Sequence, residues 1–382
     1  MKEPKIRFKE FKGEWESNKI GNFSSSFSGG TPTAGVSEFY GGDIPFIRSG
    51  EIHEDKTELF LTEKGYNNSS AKIVDRGTLL YALYGATSGD VAISKIKGAI
   101  NQAILAITPY KLVEKEFLSN FLLCNKDKIV GELLQGGQGN LSGSLVKDII
   151  VTYPCIPEQQ KIASFFTTID AQISASTSRL ASLKQIKAAS LQAMFPQEGE
   201  TVPKLRFKGF EGEWEKRKIG SFCCITIGEF VIKTKQNNLS PYPVYNGGST
   251  NTGFYDLYNQ IGPKVIVSAR GANAGFVNKE EGPFWAGNSC YSIGTIDNSS
   301  WVFLFYSLKN HESEYIKRQQ AANIPSLSKQ DIQETTLQYP STSEQRAIAS
   351  YFTNLDRQIT LQSRRLEKLK QIKAACLDKM FV

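Results

Sequence analysis

The sequence predicts an α+β chain built twice. Two strand-rich inserts with small twisted sheets are separated by two long helices that pair as an antiparallel coiled coil, a pseudo-twofold tandem repeat. Three observations carry this. The opener Pro4-Lys5-Ile6-Arg7-Phe8-Lys9, with Gly13-Glu14-Trp15-Glu16 and Lys19-Ile20-Gly21 after it, returns 199 residues later as Pro203 to Lys208, Gly212 to Glu215 and Lys218 to Gly220. Residues 153–195 align without gaps to 339–381, with 24 identities in 43 positions. Residues 158–194 contain neither Gly nor Pro and space their apolar residues in fours and threes. A constant offset in blocks of this size marks duplicated structural units. The expected segments are 1–155 (first insert), 156–196 (first long helix), 197–340 (second insert) and 341–382 (second long helix).

Each insert changes pattern from its helix. Gly77 to Tyr84, Asp90 to Ile93, Ala103 to Ile107 and Lys264 to Ser268 are short apolar or alternating runs bounded by Gly, Asn and Asp, which read as strands. Helical runs follow near Glu116 to Leu134 and Trp301 to Gln319. The sheets are expected to be antiparallel or mixed. Residues 22–152 and 222–338 barely resemble each other, apart from one echo. Gly85-Ala86-Thr87-Ser88-Gly89, then Asn101-Gln102, parallels Gly271-Ala272-Asn273-Ala274-Gly275, then Asn288-Ser289. The reading is one architecture with two different readouts; drift in loops is the bland alternative.

The first helix carries its seam at Ile162, Phe166, Ile169, Ile173, Leu180, Leu183 and Met194, broken at Ser176 and Lys187. The second repeats it at Ile348, Phe352, Leu355, Ile359, Leu366, Leu369 and Met380, broken at Gln362 and Lys373. Such a stripe needs an apolar partner, and the other copy matches it in length and pattern. Pro157 suits a first helical turn, and Ser341-Thr342-Ser343-Glu344 suits a capping box. Phe195-Pro196 ends the first helix. A helix of this size is roughly 55 Å long, so the expectation is a rod with an insert at each end. The alternative is two helices packed separately into their own cores.

Composition narrows the function. Hydrophobic content of 40% and charged content of 22% fit a folded chain and exclude a disordered tail or a collagenous one. Six Cys without a C-x-x-C pair argue against a structural zinc site or a disulfide framework and for a reducing, cytoplasmic setting. No apolar run approaches the ~20 residues of a membrane span, and the charged stretch Met1 to Trp15 does not read as a secretory signal. The net charge is +7, of which the two helices hold +6 over 158–195 and 344–382. The inserts are therefore near neutral, so any attraction to a polyanion there rests on local clustering.

No catalytic or metal-binding constellation emerges. Asp43-Ile44-Pro45-Phe46 has Ile where a base-methylating loop has Pro, and no Gly-rich cofactor loop precedes it. Glu10-Phe11-Lys12 lacks the upstream Asp of a nuclease site. There is no phosphate-cradling lysine loop, and Gly136 to Asn140 lacks the strand–turn–helix context of a dinucleotide fingerprint. His53 and His311, the only histidines, stand without triad or ligand partners. What the inserts offer is polar side chains on loops. In the first these are Arg48, Tyr84, Thr87, Ser88, Asn101, Gln102, Gln138, Asn140 and Ser142. In the second they are Lys233, Lys235, Asn246, Arg270, Asn273, Asn288, Gln319, Gln320 and Asn323. Amides and guanidinium groups on Gly-flexible loops suit base edges, and hydroxyls and backbone N–H groups suit phosphates. The bland reading of the same residues is a solvated loop.

The duplicated Pro-x-[Ile/Leu]-Arg-Phe…Gly-Glu-Trp opener resembles the specificity (S) subunit of Type I restriction–modification systems. So do the Tyr-Pro-x-x-x-Glu-Gln…Ile-Ala-Ser-[Phe/Tyr]-Phe helix start and the Leu-Lys-Gln-Ile-Lys-Ala-Ala helix end. The likeness spans the chain in order, with Glu158-Gln159 and Glu344-Gln345 its most specific landmarks. It implies two target recognition domains, each reading one half of a bipartite double-stranded DNA target, and an antiparallel pair of conserved helices. It implies no catalytic residue, no metal and no cofactor in this chain. It also implies docking to two DNA methyltransferase subunits and, through them, restriction/translocase subunits, with S-adenosylmethionine, ATP and Mg used by those partners. The first recognition domain is expected to begin within a few residues of Met1. Half-sites on one DNA face lie ~34 Å apart, so the helices are expected to set the unread spacer. A coiled-coil adaptor that binds protein or glycan is the competing class.

Overall fold

The computed structural model describes residues 3–134, 140–197, 199–319 and 326–382. The chain divides into two compact units, Met1–Ser176 with Arg365–Val382, and Thr177–Arg364. Each unit holds one insert and a stretch of both long helices.

In the first unit the main sheet has four antiparallel strands in the order Ser24–Ser28, Ile104–Pro109, Leu79–Ala82, Val91–Ile93. A second sheet is ordered Phe60–Leu61, Tyr40–Ile47, Gly98–Ile100, Lys72–Val74, and Tyr40–Ile47 pairs parallel to Gly98–Ile100. The run Leu79-Leu80-Tyr81-Ala82 is buried throughout because both faces of the main sheet are covered. Leu79 and Tyr81 enter a core with Phe117 and Phe121, while Leu80 and Ala82 face Ile47, Val74 and Ile100 of the second sheet. Alternation of side chains across a strand gives that division. The region near Glu116 to Leu134 is two helices, Lys115–Cys124 and Lys126–Leu134, and the Asn125 amide donates to the Phe121 carbonyl at 3.0 Å where the first one ends.

The second unit repeats this strand for strand. Its main sheet runs Cys223–Ile227, Cys290–Thr295, Lys264–Ser268, Val277–Glu280, all antiparallel. Its second sheet runs Gly253–Tyr255, Tyr242–Tyr245, Pro283–Ala286, Gln260–Ile261, again with one parallel pair in the same place. The divergent inserts thus share one mixed topology. In both units a two-stranded ribbon ties the opener to the chain ahead of the long helix, Glu16–Lys19 with Ile150–Tyr153 and Glu215–Lys218 with Thr336–Tyr339.

The long helices are Ile156–Ala193 and Thr342–Met380. In the first unit the start of one meets the end of the other. The Phe166 ring stacks on Phe381 with centroids 5.9 Å apart, and Lys373 pairs with Asp170 at 2.6 Å. In the second unit Phe195 packs on Phe352, Ser190 shares a 2.8 Å hydrogen bond with the Tyr351 hydroxyl, and Lys187 pairs with Asp356 at 2.5 Å. Residue numbers rise on one helix as they fall on the other, so the pairing is antiparallel. Ile162, Phe166, Ile169, Leu183, Ile348, Phe352 and Leu355 are buried, and Ile173, Leu180, Ile359, Leu366 and Leu369 are half-buried. Ser176 and Gln362, two of the breaks in the seam, are buried as well. The other two breaks, Lys187 and Lys373, are ion pairs that the two copies make with partners exchanged.

The duplicated motifs fasten each insert to its helix. Arg7 donates two hydrogen bonds to the Glu158 carboxylate (2.7 and 2.8 Å) and a third to the Gly13 carbonyl (2.7 Å). Arg206 does the same to Glu344 (2.7 Å each) and Gly212 (2.6 Å). The Gln159 amide accepts from the Glu114 N–H and donates to the Pro154 carbonyl (2.8 Å each), and Gln345 bridges the Ser300 N–H and the Pro340 carbonyl (3.0 Å each). Glu344 therefore spends its carboxylate on Arg206; of the expected capping box, the bond from the Glu344 N–H to the Ser341 hydroxyl is made, at 3.4 Å. Trp15 and Trp214 are buried against Phe117 and Phe303.

Candidate nucleic-acid interface

The echo between the inserts is one loop built twice. Gly85–Gly89 joins the two last strands of the first main sheet. Gly85 and Gly89 have φ of +86° and +80°, a region that glycine enters without strain. The loop closes with Ser88 N–H to the Gly85 carbonyl (3.1 Å), Gly89 N–H to Ala82 (2.9 Å) and Asp90 N–H to Thr87 (2.8 Å). Gly271–Gly275 holds the same place in the second unit, with φ of +83° and +90° at its ends. Its bonds are Ala274 N–H to Gly271 (2.9 Å), Gly275 N–H to Ser268 (2.8 Å) and Phe276 N–H to Asn273 (3.0 Å). On this common backbone Tyr84 corresponds to Arg270 and Thr87 to Asn273.

Two further segments meet each loop. Leu83 N–H donates to Ala103 and its carbonyl accepts from Leu141 N–H, at 2.8 and 2.9 Å. In the second unit Ala269 N–H donates to Ser289 and its carbonyl accepts from Leu327 N–H, both at 2.8 Å. The structure thereby brings together Tyr84, Thr87, Ser88, Asn101, Gln102, Asn140 and Ser142 at one end of the first main sheet. It likewise gathers Asn246, Arg270, Asn273 and Asn288 at the corresponding end of the second. Arg48 joins the first group because Asn101 N–H donates to the Ile47 carbonyl at 3.3 Å.

The register of one pair differs from the sequence parallel. Gly287 N–H donates to the Tyr245 carbonyl at 2.7 Å, the bond Asn101 makes to Ile47. Asn101 therefore matches Gly287, and Gln102 matches Asn288, one residue off the expected alignment. An exchange of side chains compensates. Asn101 Oδ1 accepts from Ala103 N–H at 3.1 Å, whereas Asn246 Oδ1 accepts from Ser289 N–H at 3.1 Å. Asn246 reaches across Gly287, where a Cβ would lie 2.3 Å from that oxygen.

The polar groups differ in how free they are. Arg48 is committed to Glu51 (2.9 and 3.0 Å) and Glu58 (2.7 Å). Burial pushes the Glu51 carboxyl up, but the hydrogen bonds from Arg48 and two backbone N–H groups prevail and hold it at about 2. The Ser142 hydroxyl caps the helix Gly143–Asp148 through Leu145 N–H. Gln102 accepts from the Thr31 hydroxyl, and the Asn273 amide donates to the Gly247 carbonyl at 3.4 Å. Asn140 and Arg270 are exposed, and among the described residues no carboxylate lies within ion-pair distance of Arg270. Lys233 and Lys235 are exposed on a short turn preceding the second sheet, apart from these loops; Lys235 borders a hollow with Phe230, Tyr255 and Trp285. Gln138, Gln320 and Asn323 lie outside the described residues, as does the side chain of Gln319, the last residue of the helix Trp301–Gln319.

Among the described residues no group of His, Cys, Asp and Glu is arranged to hold a metal ion, and no helix is long and apolar enough to cross a membrane. The arrangement offers guanidinium, amide and hydroxyl groups on loops held by a rigid sheet, which is the chemistry of base and phosphate contact.

Comparison with known proteins gives a consistent result. The model of the Type I restriction modification DNA specificity domain matches residues 12–185 and again 211–371. The MjaIX specificity subunit of a Type I restriction enzyme from Methanocaldococcus jannaschii is 32% identical over 168 residues, 41% of this chain and 38% of that protein. The EcoR124I/EcoR124II specificity subunit of Escherichia coli is 23% identical over 174 residues, 43% of each chain. The matched segment thus spans less than half the length of these curated relatives. The crystal structure of a Type I restriction-modification S subunit from M. genitalium superposes over 100% of this chain and 99% of its own, with a TM-score of 0.75 and 17% identity.

Proposed function

Because this chain belongs to the family of the Type I restriction modification DNA specificity domain, we propose that it is the non-catalytic sequence reader of a Type I restriction–modification complex. Each insert is a target recognition domain that reads one half of a bipartite double-stranded DNA target through its converged loops. The chain docks two DNA methyltransferase subunits and, through them, restriction subunits. S-adenosylmethionine, ATP and Mg serve those partners and not this chain.

The observation that carries the reading is the pair of matched loops. One backbone, kept bond for bond, presents Tyr84 and Thr87 in one unit and Arg270 and Asn273 in the other. A scaffold retained while its exposed side chains diverge suits two readers of different sequence. Methylome sequencing of cells expressing this chain with its methyltransferase partner tests it. A bipartite methylated motif is expected. Replacing residues 22–152 with the insert of another member should alter one half of the motif only. Absence of sequence-specific methylation, or change in both halves, overturns the proposal.

A further inference from the structure

Arg48 follows the strand Tyr40–Ile47 at the converged loops of the first unit. Its Nε and Nη2, one edge of the planar guanidinium, donate to the two oxygens of Glu51 at 3.0 and 2.9 Å. The Glu51 carboxylate is itself fixed. It also accepts from the Arg48 N–H at 3.1 Å and the Glu58 N–H at 3.0 Å, and its side chain is only 13% exposed. A carboxylate tied to the backbone through both oxygens sets the plane and direction of the guanidinium.

The other edge, Nη1 with Nη2, is placed differently. Nη2 donates to Glu58 at 2.7 Å, and among the described residues Nη1 has no acceptor. The Glu58 side chain is 82% exposed, so this edge faces solvent. An ion pair this exposed contributes little, and a ligand with two well-placed acceptors displaces it. A structural role for Arg48 accounts for the edge on Glu51 but gives the outward edge no task.

The second unit supplies a comparison. Ile47 and Tyr245 hold the same place, accepting from Asn101 N–H and Gly287 N–H. Arg48 therefore matches Asn246, which is also braced from its own unit, by Ser289 N–H at 3.1 Å. In the major groove, arginine suits the edge of guanine and asparagine the edge of adenine. One backbone position, braced in both copies, carries a different base-reading side chain in each.

We infer that Arg48 is a specificity-determining residue: its outward Nη1–Nη2 edge reads O6 and N7 of one guanine in the first unit's half-site, displacing Glu58 while Glu51 holds it from behind. This rests on the proposed reading role and names the base that is read. Two parallel N–H groups match two acceptors that guanine alone presents side by side in the major groove.

The test uses the full-length chain with its methyltransferase partner. Methylome sequencing of the wild type gives the motif, and each guanine of a duplex carrying it is replaced in turn by 7-deazaguanine, which lacks the N7 acceptor. At one guanine this should weaken wild-type binding about tenfold and leave Arg48→Ala binding unchanged. Glu58→Gln frees the edge and should widen the ratio between the two duplexes at that same guanine. The inference is overturned, and the reading role stands, if the motif holds no guanine, if every replacement acts alike on wild type and Arg48→Ala, or if Glu58→Gln leaves the ratio unchanged. It is also overturned if Arg48→Ala weakens binding equally on all sequences, as loss of a phosphate contact would. Absence of sequence-specific methylation by the wild type overturns both. Should Arg48→Ala misfold, Arg48→Met/Glu51→Gln, which leaves no unpaired carboxylate at position 51, takes its place against the same duplexes.

Discussion

Arg206 and Glu344, 138 residues apart, meet through two 2.7 Å hydrogen bonds, with the Glu344 side chain only 1% exposed. Removing the arginine strands a buried carboxylate. Arg206→Ala should destabilise the second unit by about 3–5 kcal/mol, the usual cost of breaking a buried pair from one side. Arg206→Lys should recover only part, because an ammonium cannot reproduce the two-pronged contact. Denaturant unfolding of the full chain, followed by tryptophan fluorescence, measures both. A loss below about 1 kcal/mol would place the pair among weak surface contacts.

Asp356 and Asp170 hold equivalent positions but unequal surroundings. Asp170 pairs with Lys373 and is half exposed. Asp356 pairs with Lys187, accepts a 2.5 Å hydrogen bond from the Tyr306 hydroxyl and has Lys279 at 3.8 Å. Burial, then the bond to Asp356, pushes the Tyr306 hydroxyl well up, so it stays a donor. Asp356→Ala should cost about 2–3 kcal/mol and Asp170→Ala about 0.5–1 kcal/mol. Equal losses in thermal unfolding would contradict this ranking.

Glu114 gives a pH dependence. Burial, then a hydrogen bond with Glu116, raises its carboxyl to about 7 from 4.5. The folded chain therefore binds a proton that the unfolded chain releases between those values. Stability from this group is full below about 4.5 and falls as pH rises through about 7. Glu114→Gln keeps an oxygen for the Phe117 N–H, which Glu114 now holds at 3.0 Å. After allowance for partial exposure, it should raise the melting temperature by roughly 2–4 °C at pH 8, on the order of 1 kcal/mol, and change little at pH 4.5. A uniform shift at both pH values would exclude titration as the cause.

Arg270 is exposed on the second loop, and among the described residues no carboxylate pairs with it. Arg270→Ala should weaken DNA binding by about 1–3 kcal/mol and relax one half of the methylated motif. Tyr84→Ala should act on the other half. Methylome sequencing of both variants reads this directly; loss spread over both halves would mean that the residues hold phosphates.

The duplication, the seam and the strand runs were legible because period and offset survive in the sequence. Lys187 and Lys373 read only as interruptions, since their partners Asp356 and Asp170 sit far away in sequence. The retained Arg7 and Glu158 were visible as motif, but their contact crosses 151 residues. The shared topology left few traces, among them the two glycine loops, because positive φ or a close backbone approach forces a particular residue and most other positions tolerate several. Even there the Asn101 parallel misled by one position, since Asn246 supplies the oxygen that Gly287 lacks.

The exchanged helix ends bear on how the chain acquires its structure during synthesis. Phe381 fills the first unit's core against Phe166 and Phe117, and Phe195 fills the second's against Phe352 and Phe303. The second unit is continuous, Thr177–Arg364, but the first waits for Arg365–Val382. On the ribosome the usual order of N-terminal domain first is therefore inverted: the unit begun earliest is the last to close, and a chain that stops short of Phe381 leaves its oldest half with an open core.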